Sequence, residues 1–275
     1  VTEQLSRQLD DAAATIDAAV AAVGDLALSI SLARFAIQYD LQRPTFVDRD
    51  SVAVRNARNL TLGDTDGVQP VTYAVGDHTL DVPRPDSPPT GDRVAVLTGA
   101  NSGGKTTLLE TLCQVQLLAQ MGLPVPADAA EIGLVDTIVF HRRHASFNAG
   151  VLESTLRSVV PPLSGDDRTL MLVDEFEAIT EPGSAADLLH GLVTLTVDRG
   201  ALGVFVTHLA ADLEPLPDVA RTDGIFAEGL GQDLDLEVDY QPRFGTVGKS
   251  TPAFIVSRLV ANAGYPVERS GREPP

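Results

Sequence analysis

VLTGANSGGKTTLLE, residues 96–110, is the stretch that decides the fold. Gly99, Gly104, Lys105 and Thr106 satisfy the pattern G-x-x-x-x-G-K-[ST], with the apolar run RVAVLT (93–98) in front and a helical pattern behind. Glycines in such a loop let backbone N–H groups curl around phosphate oxygens, and the following helix N-terminus adds its positive end. The lysine carries a second signal, because the chain has lysine only at Lys105 and Lys249 and uses arginine everywhere else. A planar guanidinium cannot replace a compact ammonium seated among phosphates. Lys105 is therefore expected to hold the outer phosphates of a nucleotide, with the Thr106 hydroxyl on Mg²⁺.

Working outward, the pattern becomes strand–helix. A helix is expected from about Gly104 to Met121, stopped by Gly122, and strands are expected at LVDTIVFH (134–141), TLMLVDE (169–175) and LGVFVT (202–207). Helical segments near 153–159 and 184–198 separate the later strands. Such alternation predicts an α/β fold, a P-loop NTPase with a mainly parallel central sheet flanked by helices. SVAVRNA (51–57) and VTYAV (71–75) read as short strands ahead of a proline-rich turn at 82–92. DLDLEVDYQPRF (233–244) alternates like an exposed edge hairpin, and TPAFIVSRLVANAG (251–264) reads as a last helix.

Leu170, Met171, Leu172 and Val173 lead into Asp174 and Glu175. A carboxylate ending a neighbouring parallel strand can hold the water shell of Mg²⁺, and a second one can activate water. That second acid points to ATP hydrolysis rather than phosphoryl transfer to a small molecule. His208 follows VFVT and is expected at the same edge, where it can sense the γ-phosphate. HRRH (141–144) invites a metal reading, but on a strand His141 and His144 point to opposite faces, so both are expected on the surface. LSGDD (163–167) follows Pro161 and Pro162 and is read as a turn.

Residues 1 to about 40 are expected to be helical, with Leu5, Leu9, Ala12, Ile16, Ala19, Val23, Leu26, Ile30 and Ala33 spaced like a coiled-coil seam. Gly24 interrupts the seam, and Pro44 is expected to end the helix. The division expected is a helical arm over 1–44 and an ATPase domain over 45–275. At 275 residues and 44% apolar, the chain can build a sizeable core. Its formal charge of -18, with arginine in place of lysine, suits a salty cytoplasm and argues against a broad grip on DNA by this chain alone. A single cysteine, Cys113, excludes an internal disulfide and suits a reducing interior. No uncharged apolar run reaches about 18 residues, so no membrane span is expected, and the start at Val1 suggests a piece of a longer protein.

TGANSGGKTTLLETL (98–112), MGLPVPADAAEIGLVDTIVFHRRHAS (121–146), LVDEFEAITEPGSAA (172–186) and VTHLAADL (206–213) together resemble the ATPase domain of the MutS mismatch-repair family. ISLARFAIQYDLQRPTF (30–46) is similar to the segment where that family's lever helix enters the ATPase domain, and STPAFIVSRLVANAGYP (250–266) to its late helix. The resemblance implies an ABC-type ATPase that works as a homodimer around two ATP molecules and moves DNA-clamping arms, in mismatch repair or recombination control. Carried over by position, Gly99, Asn101, Gly103, Gly104, Lys105, Thr106 and Thr107 bind ATP, and Thr106 and Asp174 serve the metal. Glu175 is then the base and His208 the switch histidine. Ser154, in AGVLESTL (149–156), matches a serine at a helix start that reaches the partner's γ-phosphate. The family's glycine-rich loop after the Asp-Glu pair is here FEAITEPGSAA, with Glu177 and Ile179, and most glycines before the serine are gone. The rival readings are an SMC-like ABC head and a nucleotide-gated module with little turnover. DNA would be held through parts mostly absent from this chain.

Overall fold

The computed structural model describes residues 2–63, 68–83, 85–99, 104–142, 149–165, 167–179, 184–230 and 236–248. The chain divides into two compact units, Val1–Leu41 and Gln42–Pro275. The last helix expected at 251–264 lies outside the described residues.

The first unit is a single helix, α1 (Thr2–Gln38). Gly24 does not break it, since alanine and leucine on either side are strong helix formers. Its end differs from expectation. Asp40 adopts a left-handed φ of 47°, Leu41 N–H donates to Ala36 O (2.8 Å) and Asp40 N–H to Ile37 O (3.3 Å). This is a Schellman cap with aspartate where glycine is usual, so the helix stops before Pro44 acts. Ile16, Val20, Val23, Leu26 and Ile30 are all exposed. Ala12–Gln38 is long and apolar enough to cross a membrane by length and composition, although no uncharged run within it reaches 18 residues. Asp17, Asp25 and Arg34 interrupt it.

The second unit holds two sheets where one was expected. Strands β1 (Thr45–Val47), β2 (Ser51–Ala57), β3 (Val71–Gly76) and β5 (Ala129–Gly133) form a mixed sheet in the order β1-β5-β2-β3. The other sheet is built from β4 (Val94–Gly99), β6 (Thr137–His141), β7 (Thr169–Asp174), β8 (Leu202–Val206), β9 (Ala220–Leu230) and β10 (Leu236–Phe244). Its order is β10-β9-β4-β8-β7-β6, parallel throughout except for β10 at the edge. The run expected as one strand over 134–141 is only β6, and β5 just before it belongs to the other sheet. β9, which pairs with the P-loop strand and forms the hairpin with β10, was not anticipated.

Alternation along β4 divides the core. Ala95 and Leu97 face a cluster with Leu109 and Leu112 of α2 (Lys105–Gln120) and Val52, Tyr73 and Ile132 of the mixed sheet. Val94 and Val96 face Met171, Val173 and Phe205, together with Leu189, Leu192 and Val193 of α4 (Ala185–Asp198). Val159 of α3 (Ala149–Val159) joins that second cluster. Strands covered on both faces must be apolar at nearly every position, which is why β4, β7 and β8 read as continuous hydrophobic runs. All but buried beside β4, Arg221 pairs with Asp223, whose carboxylate also accepts from Tyr73 Oη (2.8 Å). Burial, followed by the Asp223 charge, pushes the Tyr73 phenol well up.

Candidate nucleotide site

β4 ends at Gly99, whose φ is 132°; a Cβ there would stand 2.3 Å from Ile225 O, so only glycine lets β9 pass this close. Gly104 is the left-handed N-cap of α2 (φ 72°), and Lys105 opens the helix. Ala100, Asn101, Ser102 and Gly103 lie outside the described residues. Lys105 is 4% exposed and donates from Nζ to Gly99 O (2.9 Å). Burial lowers its pKa, against the opposing charges of Glu175, Asp174 and Glu177. The ammonium therefore sits where desolvation makes an anionic partner most effective.

Thr106 Oγ1 donates to Asp174 Oδ2 (2.8 Å). Asp174 ends β7, is nearly buried, and its carboxyl is held above the usual range by burial, with the Thr106 hydrogen bond pulling the other way. Its Oδ1 is buried with no hydrogen-bond partner among the described residues. An orphaned carboxylate oxygen beside a threonine hydroxyl is a hard-oxygen donor set that fits Mg²⁺ with its retained waters.

Glu175 follows with φ 44°, a left-handed conformation that costs a non-glycine residue about 1–3 kcal/mol. It is fixed there by its N–H donating to Val206 O (3.0 Å). That geometry turns its side chain to His208, with Nε2 to Oε1 at 2.9 Å. Two residues later, on a short 3-10 turn, Glu177 Oε1 accepts from Thr207 Oγ1 and from the His208 backbone N–H, each at 2.8 Å. Lys105, Thr106, Asp174, Glu175 and His208 thus meet at the C-terminal edge of the parallel strands, where open α/β sheets hold ligands.

Beside them lies a cavity of about 440 Å³ in which Ala57, Leu62, Val68 and Val71 contribute apolar walls and Gly104–Thr107 line the polar end. Tyr240 lines it with a ring whose Cδ1 would stand 2.9 Å from a Cβ at Gly104. Asn59 donates to Thr107 O (3.2 Å), and Gln69 accepts from Tyr240 N–H (3.1 Å) while donating to Asp239 (3.0 Å). Sequence reasoning missed Tyr240, Asn59 and Gln69, because no motif marks a pocket assembled from β10, α2 and the loop before β3. Glu177 was visible as a departure from the loop that the resemblance implies, though its bonds were not.

Two expectations need correction. Ser154 does not open a helix: it is the sixth residue of α3 and exposed. Leu152, Thr155, Leu156 and Val159 take the inward face at helical spacing, leaving Ser154 on the outer one. His141 is buried rather than on the surface, its ring edge-on to Phe176 at 5.7 Å, because the turn after β7 folds over the end of β6. His144 lies outside the described residues.

Residues 95–210 match the family model MutS domain V. The chain is 42% identical over 221 residues to the DNA-binding protein MutS2 of Pyrococcus furiosus, covering 80% of this chain and 38% of that protein. It is 30% identical over 222 residues to the endonuclease MutS2 of Shouchella clausii, covering 78% of this chain and 26% of the relative. The DNA mismatch repair protein MutS of Natronomonas pharaonis is also 30% identical, over 227 residues that make up 25% of its length. The chain therefore spans between a quarter and two fifths of the length of these relatives. With domain V over 95–210 and these relatives across most of its length, the chain belongs to the MutS family.

Proposed function

We infer that this chain is the ATP-binding and ATP-hydrolysing part of a MutS-like DNA-binding protein of ABC type. The observation that carries the reading is the meeting of Lys105, Thr106, Asp174, Glu175 and His208 at one strand edge, with Asp174 Oδ1 buried and unsatisfied. In the loaded protein Lys105 moves its hydrogen bond from Gly99 O to the outer phosphate oxygens. Thr106 and Asp174 would hold Mg²⁺, which would supply Lewis-acid charge neutralisation. Glu175 takes a proton from water as the oxygen–Pγ bond forms and the bond to ADP breaks, and His208 holds that carboxylate in line. The cavity beside the P-loop takes the base, with the Tyr240 ring, 37% exposed, offering its face for stacking.

Residues 1–44 are read as the stub of a lever and 45–275 as the ATPase domain, working in the cytoplasm. The lever reading is preferred to a membrane span because Asp25, midway along Ala12–Gln38, would cost about 2.5–3.5 kcal/mol at a bilayer centre, with Asp17 and Arg34 adding charge on either side. Two subunits would close around two ATP molecules, with Ser154 facing the partner's γ-phosphate from the exposed side of α3, and the arms would act on DNA. The relatives' names support the DNA role, and the acid excess supports a saline interior.

The test is Mg²⁺-dependent steady-state hydrolysis alongside nucleotide binding. Glu175→Gln should keep ATP affinity and lose about 10²–10⁴-fold in turnover. Unchanged turnover in Glu175→Gln would remove the hydrolytic assignment.

A further inference from the structure

We propose that Glu177 is a positioning residue that holds His208 in register with Glu175. Three backbone groups fix the segment that carries the histidine. Thr207 N–H donates to Leu97 O of β4 (3.1 Å), and Leu209 N–H to Thr207 Oγ1 (3.0 Å). The third, His208 N–H, ends on Glu177 Oε1, which also takes the Thr207 hydroxyl proton. One carboxylate oxygen therefore orients both the residue before the ring and the ring's own backbone. Glu177 also lies two residues after Glu175, on the turn that leaves β7. Both ends of the 2.9 Å Glu175–His208 contact are thus tied to one short segment. In a glycine at 177 no atom could make this link, so the departure from the family's loop noted in the sequence gains a physical role.

The inference rests on the hydrolytic reading of Glu175 and His208, and the tests separate the two. In the ATPase assay Glu177→Ala should lower kcat about ten- to a hundredfold, the scale of a misplaced catalytic group. KM for ATP should stay within about twofold, since the lost interaction serves the transition state. Glu177→Gln should recover to within about threefold of the parent, because the amide oxygen accepts both hydrogen bonds. Combining Glu177→Ala with His208→Ala should be no slower than His208→Ala alone, since one acts through the other. Independently of turnover, the His208 imidazole ¹⁵N resonances, assigned by their loss in His208→Ala, should move toward free-imidazole values in Glu177→Ala. They should stay in place in Glu177→Gln. An unmoved imidazole in Glu177→Ala, or losses that multiply in the double variant, overturns the proposal. Should the parent chain show no turnover while the imidazole moves as described, the hydrolytic reading falls and the positioning stands.

Discussion

The two ends of the parallel sheet treat their carboxylates in opposite ways. At the N-terminal end, Asp50 is gripped by Arg93, directly ahead of β4, and by Arg168, directly ahead of β7 (3.0 Å). Next to it, Arg49 holds Glu131, which also accepts from Thr79 N–H (2.9 Å) and Thr79 Oγ1 (2.7 Å). At the C-terminal end, Asp174, Glu175 and Glu177 gather around Lys105, which bonds a backbone carbonyl, and Asp174 keeps an unsatisfied oxygen. The first end is finished as it stands and fastens strand starts together. The second leaves a buried carboxylate oxygen beside a buried ammonium, an arrangement that the proposed Mg·ATP would complete. That difference supports the proposed site without reference to any motif.

The largest effect that could break this contrast is at Asp174. Its carboxyl sits above the usual range because burial disfavours the charge, so the folded chain binds that proton more tightly than the unfolded one. The ionised group thus works against the empty fold, and the stability linked to it is highest at low pH and lost as pH rises through its folded value. Asp174→Asn should therefore leave the nucleotide-free melting temperature at neutral pH unchanged or raised. The same change should cost about ten- to a hundredfold in Mg²⁺ affinity in the presence of ATP. A clear drop in the nucleotide-free melting temperature would show Asp174 to be a structural acid like those at the other end.

A smaller effect of opposite sign is expected at Glu131. Burial pushes its carboxyl up, but the Thr79 and Arg49 hydrogen bonds together outweigh burial and hold it below the usual range. Its contribution is then complete above the unfolded glutamate value of about 4.3 and lost as pH falls through the lower folded value. Glu131→Gln should destabilise the chain by about 1.5–3 kcal/mol at pH 7, the scale of hydrogen bonds to a charged group. Denaturant titrations should show the gap closing on acidification; a gap constant down to strongly acid pH would remove the paired-acid account.

The smallest effect per residue belongs to the remaining acid excess, the formal charge of -18. Self-repulsion spread over a surface is screened by salt, whereas a buried or partly buried group is screened much less. Going from low salt to molar KCl should raise the melting temperature by several degrees, at about 2–4 °C per kcal/mol for a unit of this size. A flat response would take away the support for a saline interior. Asp174→Asn and Glu131→Gln should keep their differences from the parent across that range.

Much of the working end was legible because its chemistry is local. Gly99, Gly104, Lys105 and Thr106 lie within eight consecutive residues around a strand–helix turn, and backbone geometry alone dictates which residue types fit there. Asp174 and Glu175 announced themselves at the end of a run whose continuous apolarity already implied burial on both faces. Tyr240 lies in the alternating run expected as an edge hairpin, but its pairing with β9 and its approach to Gly104 were not foretold. Ser154 was misplaced because its helix-start position was carried over from the resemblance, whereas α3 begins five residues earlier, at Ala149.

By itself, then, the sequence determined the α/β class, the phosphate loop, the acidic strand end and a helical N-terminal segment. Each of these is written in residues close along the chain, by periodicity or by a fixed turn. Only the tertiary structure decided that β5 leaves the parallel sheet for a second one. It alone joined Glu177 to the histidine thirty-one residues later and left Asp174 Oδ1 without a partner among the described residues. Those outcomes depend on which strand edges meet and which polar atoms the packing strands. Such long-range pairings are settled by the total burial and hydrogen bonding of the folded unit, a quantity that no short stretch carries.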